Sequence, residues 1–431
     1  MSKTNYLLSF LLVCVSASSA LAQGQGNTPY STFGIGEVSE MSSAAQDMMG
    51  GTGASFGNSF YSNQINPALL VKNRVVNGYK YVSFNVGMKG QSKTLLNNQA
   101  TQKDFGMNLN YLSLTSPITA DWAMNVTLRP YTQMQNTVAY SESIIGKPDE
   151  FITHINSAKG GLSRVSYTNS FRLFKKLYLG AEGFHNFGVI KKDSTTYLVQ
   201  NGGTQLRNTE QYALGGLGVK FGAAYQQKLT DKWNFNIGGA AELGGKLNGE
   251  FLNYTGTYAD IGNGAYLINK PDTTALRNIT GGTPAQYRFG VSLESPFHWV
   301  FAADYHTTQW MGVKAIDNFS AAFLKNTEEM KFGIEWLPNN TSTKYLSQGF
   351  YRVGFATAKT AFQINGTRIK DNKFTFGTSL PLGYGNPSYM NLGIALGRRG
   401  TQLNNLVQEN YIGFSASFSL LSTWYIKPKI D

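Results

Sequence analysis

From about residue 75 onward the chain alternates apolar and polar residues with a period of two. Val165, Tyr167, Phe171 and Leu173 interleave with Arg164, Ser166, Thr168, Ser170 and Arg172. Leu217, Val219, Phe221 and Tyr225 interleave with Gly218, Lys220, Gly222 and Gln226. Met330, Phe332, Ile334 and Trp336 do so with Lys331, Gly333 and Glu335, and Ile412 to Leu420 repeats the scheme. Successive side chains of a strand point to opposite faces, so each segment predicts a strand with one apolar face and one Ser/Gly/Lys face. The pattern predicts about fourteen strands, near 75–89, 104–116, 122–140, 162–173, 177–190, 212–228, 233–247, 285–294, 299–311, 328–337, 349–365, 373–381, 388–398 and 409–424.

The connections alternate in length. Those near Pro117, Phe174-Lys175-Lys176, Thr230-Asp231-Lys232 and Ser295-Pro296 are tight. Those at 90–103, 141–161, 191–211, 248–284 and 312–327 are predicted to be long loops. Short turns on one rim and long loops on the other are expected of an antiparallel barrel crossing an outer membrane, with lipid outside and a polar lumen. A soluble β-sandwich shows similar alternation, but gives no reason for the loops to alternate so strictly. The predicted fold class is therefore all-β, a transmembrane antiparallel β-barrel of about fourteen strands.

Two segments before the barrel lack this period. Lys3, the apolar run Tyr6 to Val15 and the small-x-small site Ala20-Leu21-Ala22 predict a cleaved signal peptide over 1–22. The only cysteine, Cys14, lies in it, so the mature chain would carry no disulfide and no thiolate site. Residues 23–72 are rich in Gly, Ser and Met and have the size of a lumen plug, with the barrel at 73–431. A barrel this wide would otherwise enclose an aqueous hole. Within the plug, Gly50-Gly51-Thr52-Gly53-Ala54 departs from a dinucleotide fingerprint, because Phe56 stands where the third glycine belongs. Close backbone packing is the better reading of these glycines. Asn66-Pro67-Ala68 reads as a turn.

Composition adds constraints. Charged residues make up 14% of the 431 and aromatics 13%, with 47 glycines. No apolar run reaches the roughly 18–20 residues of a spanning helix. The net charge is +12, yet Lys and Arg are scattered and no nucleic-acid motif occurs, so no nucleic-acid partner is expected. A solvated or lipopolysaccharide-facing role is the simpler account of the excess charge. Neither a Gly-x-Ser-x-Gly elbow nor a His-Glu-x-x-His motif is present, and His154, His185, His298 and His306 sit at ordinary positions. No enzyme activity, cofactor or metal site is expected.

Four stretches carry a family resemblance. They are Gly50 to Ala54 with Asn66-Pro67-Ala68; Tyr111 to Leu114 through Ser116-Pro117-Ile118 to Arg129-Pro130-Tyr131; Asn391 to Ile394 with Gly397 to Thr401 and Glu409-Asn410-Tyr411; and the ending, Phe418 to Asp431. In their order along the whole mature chain they resemble the FadL/TodX family of outer-membrane transporters for long-chain fatty acids and other hydrophobic compounds. The resemblance implies a fourteen-stranded barrel, a plug motif at Gly51, Gly53, Asn66, Pro67 and Ala68, and a lateral opening at a kinked third strand. The ending departs from the usual terminal aromatic, since Trp424-Tyr425 lies six residues in.

Pro130 points to that kink independently, because proline cannot donate to a ladder. Arg129, Pro130 and Tyr131 are the candidate lateral-opening residues; the alternative is that Pro130 ends a strand. Phe33, Met48, Met49, Phe56 and Phe60 are candidates for an apolar ligand pocket, or for packing of the plug against the wall. The expected function is passive uptake of hydrophobic compounds such as long-chain fatty acids across the outer membrane of a diderm bacterium. Lipid, lipopolysaccharide and hydrophobic small molecules are the expected partners. The alternative is a non-transporting accessory or structural barrel of an outer-membrane secretion or surface-assembly complex, with an unknown protein partner.

Overall fold

The computed structural model describes residues 28–72, 75–76, 79–98, 100–198, 204–260, 265–268, 271–316, 323–383 and 387–422. The expected signal peptide, Cys14 and the Trp424 to Asp431 ending lie outside the described residues. Among the described residues the wall comprises fourteen antiparallel strands. They are β1 (Val82–Leu96), β2 (Thr101–Pro117), β3 in halves β3a (Trp122–Pro130) and β3b (Thr132–Ile144), and β4 (Lys147–Leu173). β5 (Leu177–Leu198), β6 (Thr204–Lys228), β7 (Asn234–Glu242 and Lys246–Asp260) and β8 (Asp272–Gly282 and Ala285–Ser295) follow. β9 (Trp299–Gln309), β10 (Glu328–Trp336), β11 (Phe350–Ile364), β12 (Thr367–Pro381), β13 (Tyr389–Gly400) and β14 (Gln408–Ser422) complete the wall. β14 pairs with β1 from Ser422–Val82 to Gln408–Leu96, which closes the barrel and removes its free edges.

The alternation resolves as expected into two faces. Phe84, Leu114, Val165, Tyr167, Phe171, Phe221, Phe332 and Phe414 are exposed on the outer wall, while Arg164, Ser166, Thr168, Ser170, Lys220 and Lys331 are buried inside. Near the short turns the outer aromatics stack: Trp299 on Trp336 at 5.7 Å, Trp122 on Phe171 at 5.8 Å and Trp336 against Tyr351 at 5.8 Å. Such a girdle marks a membrane interface.

The expected long connection at 312–327 lies between the end of β9 at Gln309 and the start of β10 at Glu328, but the other expected long loops are corrected. β4 runs for 27 residues, β3 and β4 turn at Ile145-Gly146, and β5 and β6 continue to Leu198 and from Thr204. A spanning strand needs only roughly 9–11 residues. Above the bilayer both faces of a hairpin meet water, so the ladder persists while the apolar period that announces a strand disappears.

Residues 28–72 lie inside the wall as a 3-10 turn Pro29–Thr32, a two-residue strand Glu37–Val38, a helical turn Ala44–Asp47 and a second 3-10 turn Pro67–Lys72, running from Tyr30 and Phe33 against Phe362 to Phe60 against Phe350. A belt of wall glycines receives them. Gly180 and Gly222 are cross-strand partners, as are Gly238 and Gly290, Gly333 and Gly354, and Gly377 and Gly393. A Cβ at Gly180 or Gly222 would collide with Asn66, Pro67 or Ala68; at Gly238 or Gly290 it would meet Ala54. At Gly333 or Gly354 it would strike Met49, Gly50 or Thr52, and at Gly377 or Gly393 the side chain of Met48. These eight glycines let the plug lie directly on wall backbone.

Candidate functional site

The plug is seated by backbone groups, and the glycine-rich turn explains how. Gly50 and Gly51 follow the helical turn at φ +70° and +85°, conformations that suit glycine. The turn leaves the N–H groups of Gly53 and Ala54 pointing at the wall, where both donate to Asp304 Oδ2 at 2.7 and 2.8 Å. The anion that this loop cradles is therefore a wall carboxylate. The N–H of Gly50 donates to Thr375 Oγ1 at 3.0 Å, and that hydroxyl donates to the Met48 carbonyl at 2.9 Å.

Asn66, Pro67 and Ala68 form the second anchor. Asn66 Oδ1 accepts the Ala68 N–H at 3.0 Å, which starts the 3-10 turn, and Asn66 Nδ2 donates to Ala54 O at 2.6 Å and to Ala223 O of β6 at 3.1 Å. Asn63, which the sequence does not single out, ties the two anchors together. Its Nδ2 donates to the carbonyls of Gly53 and Phe56, and its Oδ1 accepts from Ile65 and Asn66.

Ion pairs add a third set of contacts. Glu40 of the plug accepts from Lys331 on β10 and Lys373 on β12, each at 2.6 Å, and lies 3.9 Å from Lys89 on β1. Glu37 accepts two contacts from Arg399 of β13, at 2.8 and 2.9 Å. Asp47 lies 3.6 Å from Lys89. Burial raises the Glu40 carboxyl, yet Lys331, Lys373 and Lys89 together outweigh it and hold it well below the usual carboxylate range. Part of the basic excess expected to be solvated or lipopolysaccharide-facing therefore points inward, toward an acidic plug.

The third strand is divided between Pro130 and Thr132. Pairing of β2 with β3a ends at Leu112–Leu128. Two devices meet there: Pro130 in β3a, and in β2 a bulge that leaves Asn110 out of the ladder with β1. β3b keeps β4 as its partner, but its other edge takes up the plug. Glu37 and Val38 pair with Gln133 and Thr132, the Ser39 N–H donates to Tyr131 O at 2.8 Å, and the Thr28 N–H donates to Gln135 O at 2.9 Å. Asn110 Nδ2 reaches Ser42 O at 3.2 Å. At this level the plug stands where β2 would.

Arg129 and Tyr131 point inward at the break. Tyr131 is buried beside Arg164, whose guanidinium is fully enclosed and makes a two-pronged pair with Glu242 at 2.7 and 2.9 Å. A cavity of about 1220 Å³ lies behind the break, bordered by plug residues between Thr28 and Met48. Leu128, Pro130, Phe187 and Val189 line its side toward the break, and Glu40, Arg288, Lys331, Lys373 and Arg399 are among the charged residues elsewhere in its lining.

The five candidate pocket residues do not converge. Phe33 packs with Phe323 and Phe362, Phe60 with Phe350 and Tyr389, and Met49 and Phe56 with Tyr61 and Val300. Met48 alone among the five borders the large cavity, while Phe56 and Phe60 border a second one of about 310 Å³ near the short turns. Among the described residues there is no group of three or more His, Cys, Asp or Glu placed to hold a metal.

Solved structures with this fold include a toluene transporter TodX of Pseudomonas putida, at TM-score 0.55 and 17% identity over 89% of this chain and 98% of that one. The toluene transporter TbuX of Ralstonia pickettii matches at 0.55 and 14%, over 88% and 98%. A FadL homologue of Pseudomonas aeruginosa matches at 0.56 and 11%, over 90% and 98%. At these identities the likeness is one of fold. No curated protein sequence matches the chain. The family model named BamG matches residues 1–431, a family name other than the one the sequence motifs suggested.

Proposed function

The chain belongs to the BamG family, and from that premise we propose that it is an accessory barrel of an outer-membrane assembly complex in a diderm bacterium. It is a sealed unit that supports a protein partner, not a conduit. The observation that carries this reading is the way the plug is held. Wall and plug share backbone contacts, Asp304 occupies the plug loop, and Glu37 and Glu40 are matched by Arg399, Lys331 and Lys373. Moving such a plug would strand several buried charges at once, each costly to leave without its partner. An apolar solute gains roughly 25 cal/mol per Å² of apolar area buried. It has no hydrogen bonds to offer the charged groups set among the apolar surface of the cavity, and desolvating them opposes its entry.

A second reading remains, favoured by the break in the wall. Because β2–β3 pairing stops at Leu112–Leu128 and the cavity lies behind it, the chain would admit hydrophobic compounds such as long-chain fatty acids and release them sideways past Arg129-Pro130-Tyr131. The toluene transporters of this fold are named for such solutes.

One experiment separates the two. The protein is purified in mild detergent, then assayed for stoichiometric proteins on a gel and for retained apolar compounds by mass spectrometry. A fixed protein partner with no retained solute supports the accessory barrel. A retained apolar solute with no partner replaces it with the uptake channel.

A further inference from the structure

Four cations and two carboxylates share the buried lumen wall beside the break, and their pairing is incomplete. Arg164 is satisfied by Glu242 and Asn186, and Lys220 lies 3.8 Å from Glu182 and donates to Gln64 O at 3.2 Å. Arg129 has only one long contact, Nη2 to Glu182 at 3.5 Å; its Nε and Nη1 are buried without a partner, and the residue is 5% exposed. Arg288, 6% exposed, makes no ion pair among the described residues. It lies among the charges that act on both Arg129 and Lys220. Two residues before it in β8, Gln286 faces His306 through its Oε1 at 3.3 Å and turns its amide toward the Tyr131 hydroxyl. Arg129, Gln286 and Arg288 all border the 1220 Å³ cavity.

Buried charge is tolerated where it is paired. Glu182 and Glu242 balance two of the four cations and Asp304 also acts on Arg288, so the cluster keeps a net positive charge and the unpartnered Arg129 donors on a cavity wall. A guanidinium presents its N–H groups as a planar fork suited to oxyanions, and two forks with an amide donor suit a group with several oxygens and a double charge. We propose that Arg129, Arg288 and Gln286 form a binding site for a phosphomonoester-type dianion. The group arrives either as free phosphate or as the headgroup of a phosphorylated lipid entering at the break beside Pro130. This site goes beyond the accessory-barrel reading and does not depend on it.

The test uses the full chain in neutral detergent and phosphate-free buffer, folded state being confirmed by heat-modifiable gel mobility. Inorganic phosphate is titrated and followed by phosphorus-31 NMR line width, and lipid extracted from the freshly purified protein is examined by mass spectrometry. Saturable phosphate binding without retained lipid identifies free phosphate as the ligand. Retained phosphorylated lipid identifies the headgroup. In either case Arg288→Gln should weaken the interaction about tenfold or more, the equivalent of about 1.4 kcal/mol. Arg288→Lys, which keeps the charge and loses the fork, should recover it only in part. Absence of both phosphate binding and retained phosphorylated lipid, or retention of either at full strength in folded Arg288→Gln, overturns the proposal.

Discussion

The ring of Tyr131, the residue between β3a and β3b, lies against the guanidinium of Arg164, with 4.0 Å from Cζ to the ring centre. Phe184 covers the opposite side at 3.6 Å. The interruption of the third strand is therefore fastened to a buried ion pair that the plug also touches, with Arg164 Nη1 3.7 Å from Met41 Sδ. Arg164→Met should strand Glu242 without a counter-charge and destabilise the barrel by about 3–5 kcal/mol. The temperature at which the folded gel band is lost should fall markedly. Arg164→Lys should rescue little, since it supplies neither the two-pronged contact nor the stacked plane. Tyr131→Phe keeps the stacked plane and should cost only about 1 kcal/mol, for the hydroxyl's contacts with Thr283 and Gln286.

The glycine belt predicts a sharp positional contrast. At Gly354 a Cβ would overlap the backbone at Met49 and Gly50, whereas at Gly183 nothing lies within 4 Å. Gly354→Val should lift the plug from the wall and raise single-channel conductance in planar bilayers. Gly183→Ala should behave as wild type. Equal conductance in the two variants would show that the plug does not depend on the belt.

How much of this was legible in the chain depends on the range of the signal. Val165-Tyr167-Phe171 against Arg164-Ser166-Thr168 announces a wall strand locally, because lipid and lumen impose opposite chemistry on neighbouring residues. Pro130 announces its break, and Asn66-Pro67-Ala68 its anchor. The upper halves of β4 to β6 were hidden, since polar hairpins lose the apolar period without losing the ladder. The plug's contacts were hidden for a different reason. Glu40 meets Lys331 and Lys373, and Gly53 meets Asp304, across some 250 residues or more of sequence. Nothing local marks such partners. Phe33, Met48, Met49, Phe56 and Phe60 look like one apolar set in sequence, yet the plug's path sends them to different clusters.

The plug's charge contacts predict an acid-resistant seal. The Glu40 carboxyl is depressed well below its ordinary value of 4.5. A depressed carboxylate contributes stability that is present above the ordinary value and is lost only as pH falls through the lower, folded one. The Glu40 contacts should therefore persist from neutral pH down past the ordinary carboxylate range, while Asp47, whose carboxyl burial raises, gives up its charge first, so conductance should rise fully only in stronger acid. Glu40→Gln should leave Lys331, Lys373 and Lys89 facing one another and raise conductance already at neutral pH. A wild-type rise centred near the ordinary carboxylate value would remove Glu40 from this role.

Pro130 offers a test of why the wall opens where it does. The Tyr131 N–H donates toward β4, to Leu162 O at 2.7 Å. Alternation along a strand turns the preceding nitrogen toward β2, and at residue 130 that nitrogen carries no hydrogen. The ladder with β2 thus loses a donor just above its last pair, Leu112–Leu128, and opposite the bulge at Asn110. Pro130→Val restores the donor. It should leave the folded gel band intact and extend the β2–β3 ladder, read as slower hydrogen exchange across residues 108–111. If the break serves as an exit for hydrophobic compounds, uptake should fall in the same variant. If the barrel acts as an accessory unit, its protein partner should remain bound and no uptake should be there to lose. Unchanged exchange at 108–111 would show that the Asn110 bulge alone holds the wall apart.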